Sequence, residues 1–352
     1  SVGGQIFVDF LGLALPGQEQ RAAELGGRLA AVAHFDDGVS GGRFMAAANA
    51  TAFDSDTVEE IVLRALRTIP EEGDYARVTK AVLDFFHQHP ERWQDCRNML
   101  EKEWGYDRYS GVCPMIPNAG VCVMALLYSG GDLNRGVEIA TLAGWDTDCN
   151  AGNVGTILGV VVGPEGIPAC YRGPINDEIV LSGISGYLNI LDIPSYSKKL
   201  FGLACRLAGE ECPEPPEQDG TLHYDFTLPG ATHGFHVSDP IRCMAQASEE
   251  RGGSLRCFYE RLIRGEGFKL FVKTFYRRRD FDDERYMPVF SPLAYPGQTA
   301  SFTVALERLH GDQLSLTPYV KESFTGREIL LEPVVFSDSF DSQTLSFTLP
   351  DV

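Results

Sequence analysis

Asp146 and Asp148 are the two residues of this 352-residue chain whose type and spacing point most directly to chemistry. They stand one residue apart in Gly144-Trp145-Asp146-Thr147-Asp148-Cys149-Asn150-Ala151-Gly152, at the head of an apolar, glycine-spaced segment. A helix starting there presents unpaired N–H groups and a partial positive charge, which favour an acidic neighbour. The plain reading is that one of the two aspartates is an N-cap. One cap needs one carboxylate, however, and a second beside it is repelled unless positive charge lies between them. A hard divalent cation is the natural source of that charge. An EF-hand loop is excluded. Asp146, Asp148 and Asn150 have its one-three-five spacing, but Ala151 stands where the turn needs glycine and Ile157 where it needs a bidentate Glu.

The elements that must position these carboxylates read as helices. Gly155, Gly159 and Gly163 recur every fourth residue, which predicts a helix over 149–163 with a smooth face that another helix approaches closely. Upstream, apolar spacing predicts helices over 19–33 and 43–52. Asp56-Thr57-Val58-Glu59 has capping-box spacing, Asp74 caps a helix reaching His87, and Pro90 restarts one carrying Trp93 and Met99. Asn118 heads the apolar run 119–128, and Asp132 caps 133–143. Residues 168–177 read as a loop and 178–191 as one more apolar segment, so the chain to about residue 205 is expected to be all-α. Between the first two helices, His34 to Gly42 is a polar stretch with Gly38, Ser40, Gly41 and Gly42. Its glycines suit either an anion cradle for pyrophosphate or ribose, or a simple helix–helix turn.

The pattern changes at residues 209–220, which are acidic and proline-rich as linkers are. Beyond them the period becomes two. Phe302, Val304 and Leu306 alternate with Thr303, Ala305 and Glu307, and Leu345, Phe347 and Leu349 repeat the pattern. The expectation is therefore a multidomain chain: an all-α domain over 1–208, a linker over 209–220, and an all-β sandwich or jelly-roll domain over 221–352. His233 and His236 show no third partner in sequence that would make them a site.

With 30 basic against 49 acidic residues, the net charge of −19 opposes attraction to nucleic acid or an anionic membrane. An anionic substrate must then meet a metal or a local positive site. The nine cysteines are scattered without a metal-ligand pattern, which favours free thiols in a reducing, cytoplasmic compartment. No apolar run approaches the ~20 residues that span a bilayer.

The stretch from Gly144 to Gly152 resembles the C-terminal metal motif of the ADP-ribosylglycohydrolase family, in which a Gly-Asp-Thr-Asp run precedes a small-residue helix. The resemblance extends to Asn118, to Gly130-Gly131-Asp132, to 163–168 and to the His34–Gly42 stretch, and covers roughly residues 1 to 205. It implies a helical domain that hydrolyses a glycosidic bond at C1 of ADP-ribose or a related riboside with the help of two magnesium ions. Asp146 and Asp148, with Cys149 beside them, match its metal ligands. His34, Gly38, Ser40, Gly41, Gly42, Asn118 and Trp145 match its substrate cleft. Two departures stand out: Cys149 replaces a ligand Thr, and Trp145 stands where many members have Gly. The family's Thr-Asp-Asp run with its acidic base is not in the sequence, and no catalytic residue is assigned. The abrupt apolar start at Ser1 fits a chain whose site is completed by an N-terminal segment or a second chain. The alternative is a noncatalytic binder of ADP-ribose-like or carbohydrate ligands.

Overall fold

Apolar spacing and caps become helices much as expected in a computed structural model, which describes residues 1–212, 221–260, 262–263, 265–281 and 287–351. In chain order the helices are α1 (Gly3–Ile6), α2 (Asp9–Leu13), α3 (Glu19–Ala30), α4 (Asp37–Thr51), α5 (Val58–Leu66), α6 (Asp74–Gln88), α7 (Trp93–Trp104), α8 (Met115–Ser129), α9 (Leu133–Leu142), α10 (Thr147–Gly166), α11 (Ala169–Ile175) and α12 (Ile193–Ala208). The chain divides into two units. One holds Ser1–Pro174 and the stretch that starts at Ser197; the other holds Ile175–Tyr196 and the described residues from 221 on. Residues 213–220, most of the expected linker, lie outside the described residues.

Two helices are buried on nearly every side and form the centre of the first unit. All but three residues of α4 and all but one of α8 are buried, as expected of helices apolar all round. Alanine and glycine make α4 thin enough to be surrounded. A side chain at Gly26 of α3 would meet the Gly42 carbonyl at 2.4 Å, and one at Gly4 of α1 would meet the Gly38 carbonyl at 2.1 Å. Helix α8 packs against α6, α7, α9 and α10. It ends in Gly130, whose φ of 60° is the left-handed cap that glycine adopts without strain.

Caps fix several boundaries. The Asp132 carboxylate accepts from the Arg135 amide at 2.7 Å and opens α9. At α5 the capping pair is shifted by one residue from the expected Asp56–Glu59. Thr57 accepts from the Glu60 amide and Glu60 reaches back to the Asp56 amide, both at 3.1 Å; adjacent Asp and Thr can each cap, and the hydroxyl takes the position here. Residues 169–175, expected as a loop, form α11.

The glycine stripe of α10 is not the close-packed face expected of it. A side chain at Gly152 or Gly159 would meet nothing within 4 Å, and one at Gly155 would make only an ordinary contact with Val137 at 3.4 Å. The buried face carries Asn150, Asn153, Val154, Ile157 and Leu158. The glycine that permits close approach lies on the neighbour, because a Cβ at Gly136 of α9 would meet Leu158 at 2.2 Å. Gly163 instead breaks α10, with φ 66° and ψ 176° immediately before Pro164.

The second unit contains a correction to the all-α reading. Residues 178–192, expected within the helical region, form an antiparallel hairpin of β1 (Glu178–Val180) and β2 (Ile190–Asp192). β-branched Ile179, Val180 and Ile190 favour extended chain, and Asn189 clamps the connection by bonding both the amide and the carbonyl of Gly183. From residue 221 on the chain is strand-rich and antiparallel, as alternation predicts. Thr299–Leu306 pairs with Phe340–Thr348 around a small core of Leu306, Phe336 and Leu345. His233 and His236 each find a carboxylate: Nδ1 of His233 lies 2.8 Å from Asp192, and Nε2 of His236 lies 3.1 Å from Glu178.

Candidate metal centre

Where α9 ends and α10 begins, the chain turns through two residues of positive φ, Gly144 at 79° and Trp145 at 63°. The first is unstrained. The second places a bulky side chain in the region glycine prefers, at a cost of about 1–2 kcal/mol, and packing against the indole holds it there. The Arg97 guanidinium lies 3.8 Å from the indole centroid, and the Tyr106 ring stacks at 5.0 Å and 21°. Arg97 also donates to the Ala143 carbonyl at 2.6 Å, fixing the end of the preceding helix.

That turn delivers Asp146 to the N-cap position of α10, yet its side chain makes no capping hydrogen bond. Its Oδ2 is buried and has no hydrogen-bond partner. The plain capping reading of Asp146 therefore does not hold. Asp148 and Cys149 follow in the first turn, and one ligand atom from each of Asp146, Asp148 and Cys149 lies within 4.8 Å of the other two. Burial pushes the Asp146 carboxyl above the usual range, and Asp148 beside it adds to the effect. The Cys149 thiol is pushed up to about 12, first by burial and then by the two aspartates. An uncompensated pair of carboxylates with one orphaned oxygen fits a divalent cation. The thiol does not fit magnesium, which takes oxygen. These donors account for a single ion.

Asn118 holds the turn from inside. It is fully buried in α8. Its Oδ1 accepts from the Asp146 amide at 3.4 Å and from Asn150 Nδ2 at 2.9 Å. Its Nδ2 donates to the Tyr106 hydroxyl and to the Pro114 carbonyl, both at 2.8 Å. Asn118 and Trp145 are thus brought to the cluster as residues that shape it.

The His34–Gly42 stretch is placed differently from its expectation as a loop. Helix α4 begins at Asp37, so Gly38, Ser40, Gly41 and Gly42 are helical and buried. The amides of Gly38, Val39 and Ser40 donate to the Phe35 and Asp36 carbonyls, which commits the donors an anion cradle would use. The glycines serve close approach of neighbouring chain, a role that the same residue type signals equally well in sequence. His34 lies at the edge, with Nε2 at 3.3 Å from Ser1 Oγ.

A buried polar network behind the cluster was not anticipated. Tyr75 donates to Gln5 at 3.0 Å, Gln5 to Asn153 at 3.1 Å and to Cys122 at 3.4 Å, and the Cys122 thiol faces Asn150 Oδ1 at 3.6 Å. Asn153 and Asn49 donate to Asp9, whose carboxyl burial lifts to about 6. The only local signal was a lone acid in the apolar run Ile6–Phe10.

A sequence model of the family described as ADP-ribosylglycohydrolase matches residues 1–204. No curated protein and no solved structure matches the chain.

Proposed function

The chain belongs to the ADP-ribosylglycohydrolase family, and from that premise we propose that it serves metal-dependent hydrolysis of a glycosidic bond at C1 of ADP-ribose or a related riboside. The observation that carries the reading is the buried, unpartnered Oδ2 of Asp146 beside Asp148. Magnesium is the ion the family resemblance implies, and Asp146 and Asp148 would hold it. When bound, it supplies charge stabilisation at the sugar oxygens as C1 gains oxocarbenium character. The protein's own part is placement. Asn118 and Asn150 fix the α10 terminus, the stack of Arg97, Trp145 and Tyr106 fixes the turn, and His34 with the start of α4 would border the substrate. A second ion would need carboxylates beyond this cluster.

A reducing, cytoplasmic setting suits the free cysteines, and the strand-rich region is proposed as an accessory module. Among the described residues, no single helix is long and apolar enough to cross a membrane.

Calorimetric titration of ADP-ribose, with and without Mg²⁺, on the parent and on Asp148→Asn tests the reading. Binding should require the metal and be lost in the variant. Equal binding in all four titrations would refute it, and metal-dependent binding without turnover would assign a binder in place of a hydrolase.

A further inference from the structure

We infer that Asp146, Asp148 and Cys149 form a mixed thiolate–carboxylate site that takes a thiophilic divalent cation of the zinc class, in competition with magnesium. The inference rests on the reading of this cluster as a cation site and departs from it in the chemistry of the ion. A sulfur and two carboxylate oxygens lie within 4.8 Å of one another. A tetrahedral zinc-class ion with bonds of about 2.0–2.3 Å holds its donors roughly 3.3–3.8 Å apart, a spacing inside the 4.8 Å within which these three atoms lie. The Asp146 backbone is tied to its neighbour and its carboxylate is left unsatisfied. The amide is held by Asn118, and Oδ2 is enclosed without a hydrogen-bond partner.

Sulfur decides the selectivity. Thiolate donors favour zinc-class ions, whereas magnesium takes oxygen and keeps several waters. With Cys149 in the first turn of α10, one of the three clustered donors is soft. A second thiol, Cys113, stands within electrostatic reach of the same Asp146 carboxylate. Zinc binding would displace the Cys149 proton to solvent, forming the metal–sulfur bond at the expense of the S–H bond. Magnesium binding would leave that thiol protonated. The cluster therefore accommodates two kinds of ion with different donor sets.

The competing reading is that Cys149 only donates a hydrogen bond to Asp146. Cobalt(II) distinguishes the two, because it substitutes for zinc and shows a near-ultraviolet charge-transfer band only when bound by sulfur. The 352-residue chain, stripped with a chelator, should develop that band on Co²⁺ titration and lose it on addition of Zn²⁺. Cys149→Ser should bind Mg²⁺ yet show no band. Cys149→Thr, which installs an oxygen, should behave likewise and provides a second variant should the first fold poorly. The remaining cysteines are common to all three proteins, so a band lost with Cys149 belongs to it. Cobalt bound without the band, or a band retained in both variants, would overturn the inference while leaving the cation reading intact. Failure of the parent to bind either Co²⁺ or Mg²⁺ would overturn both.

Discussion

Asp9 and Asn153, 144 positions apart in the chain, meet through one amide group: Asn153 Nδ2 donates to both carboxylate oxygens, at 3.1 and 3.0 Å. Asn49 donates to the same carboxylate at 2.8 Å. One acid thereby joins α2, α4 and α10, the helix whose start carries the metal ligands.

Burial of that acid has a defined pH signature. Its carboxyl is raised from 3.8 to about 6, with desolvation as the largest cause and the two asparagine bonds opposing it. The folded state therefore holds the proton more tightly than the unfolded chain. The resulting stability is fully present below about pH 4 and is lost as pH rises through about 6. The shift corresponds to roughly 3 kcal/mol. Asp9→Asn removes this titration, so the difference in urea-unfolding free energy between parent and variant should change by ~2–3 kcal/mol between pH 4 and 7. A difference that stays flat across that range would show that Asp9 is not buried as described.

Trp145 can be tested through its backbone. Trp145→Ala removes the contacts with Arg97 and Tyr106 but keeps a Cβ at φ 63°. Trp145→Gly removes the same contacts and relieves the strain as well. Glycine should be the more stable of the two variants by about 1 kcal/mol, the usual cost of a left-handed conformation for a residue with a Cβ. Chemical denaturation of both variants decides it, and an alanine variant as stable as the glycine one would mean the turn relaxes to another conformation.

The helix pair α9–α10 yields a contrast between two glycines. Gly136→Ala drives a methyl group into Leu158, and overpacking of that kind costs about 1–3 kcal/mol. Gly159→Ala meets nothing and should gain up to about 1 kcal/mol from helix propensity. Melting temperatures should move in opposite directions. A loss at Gly159 matching that at Gly136 would restore the glycine stripe of α10 as a packing face.

These cases show where the sequence was legible. Helix α9 could be read because Asp132 is both the right residue type and in the right place, and α10 because its apolar run is bounded by Asp146 and the Gly163-Pro164 break. Glycine spacing at 155, 159 and 163 marked a helix correctly and its interface wrongly, since spacing shows which residues share a face without showing what lies opposite. Gly38 to Gly42 misled for a related reason: glycine permits both a loop around an anion and close packing of helices. The paired aspartates were legible because two like charges side by side demand an explanation. Asp9, Asn153 and Gln5 were not, because a partner more than a hundred residues away leaves no local trace.

Asn118 offers the most discriminating test of how the cluster is held. All its hydrogen-bonding partners are internal: the Asp146 amide, Asn150, the Tyr106 hydroxyl and the Pro114 carbonyl. Asn118→Ala leaves buried donors without an acceptor, at about 1–3 kcal/mol for the loss, and frees the amide that sets the direction of Asp146. Tyr106→Phe removes only one hydroxyl, and Asn118 Nδ2 keeps its bond to Pro114, so the cost should stay near 1 kcal/mol or less. The two variants should therefore separate in cation affinity as well as stability. Asn118→Ala should weaken divalent-ion binding even at temperatures where it is fully folded, whereas Tyr106→Phe should bind nearly as the parent does. Circular dichroism establishes the folded fraction and calorimetry reads the ion. Undiminished binding in folded Asn118→Ala would mean that α10 orients Asp146 and Asp148 without help from α8.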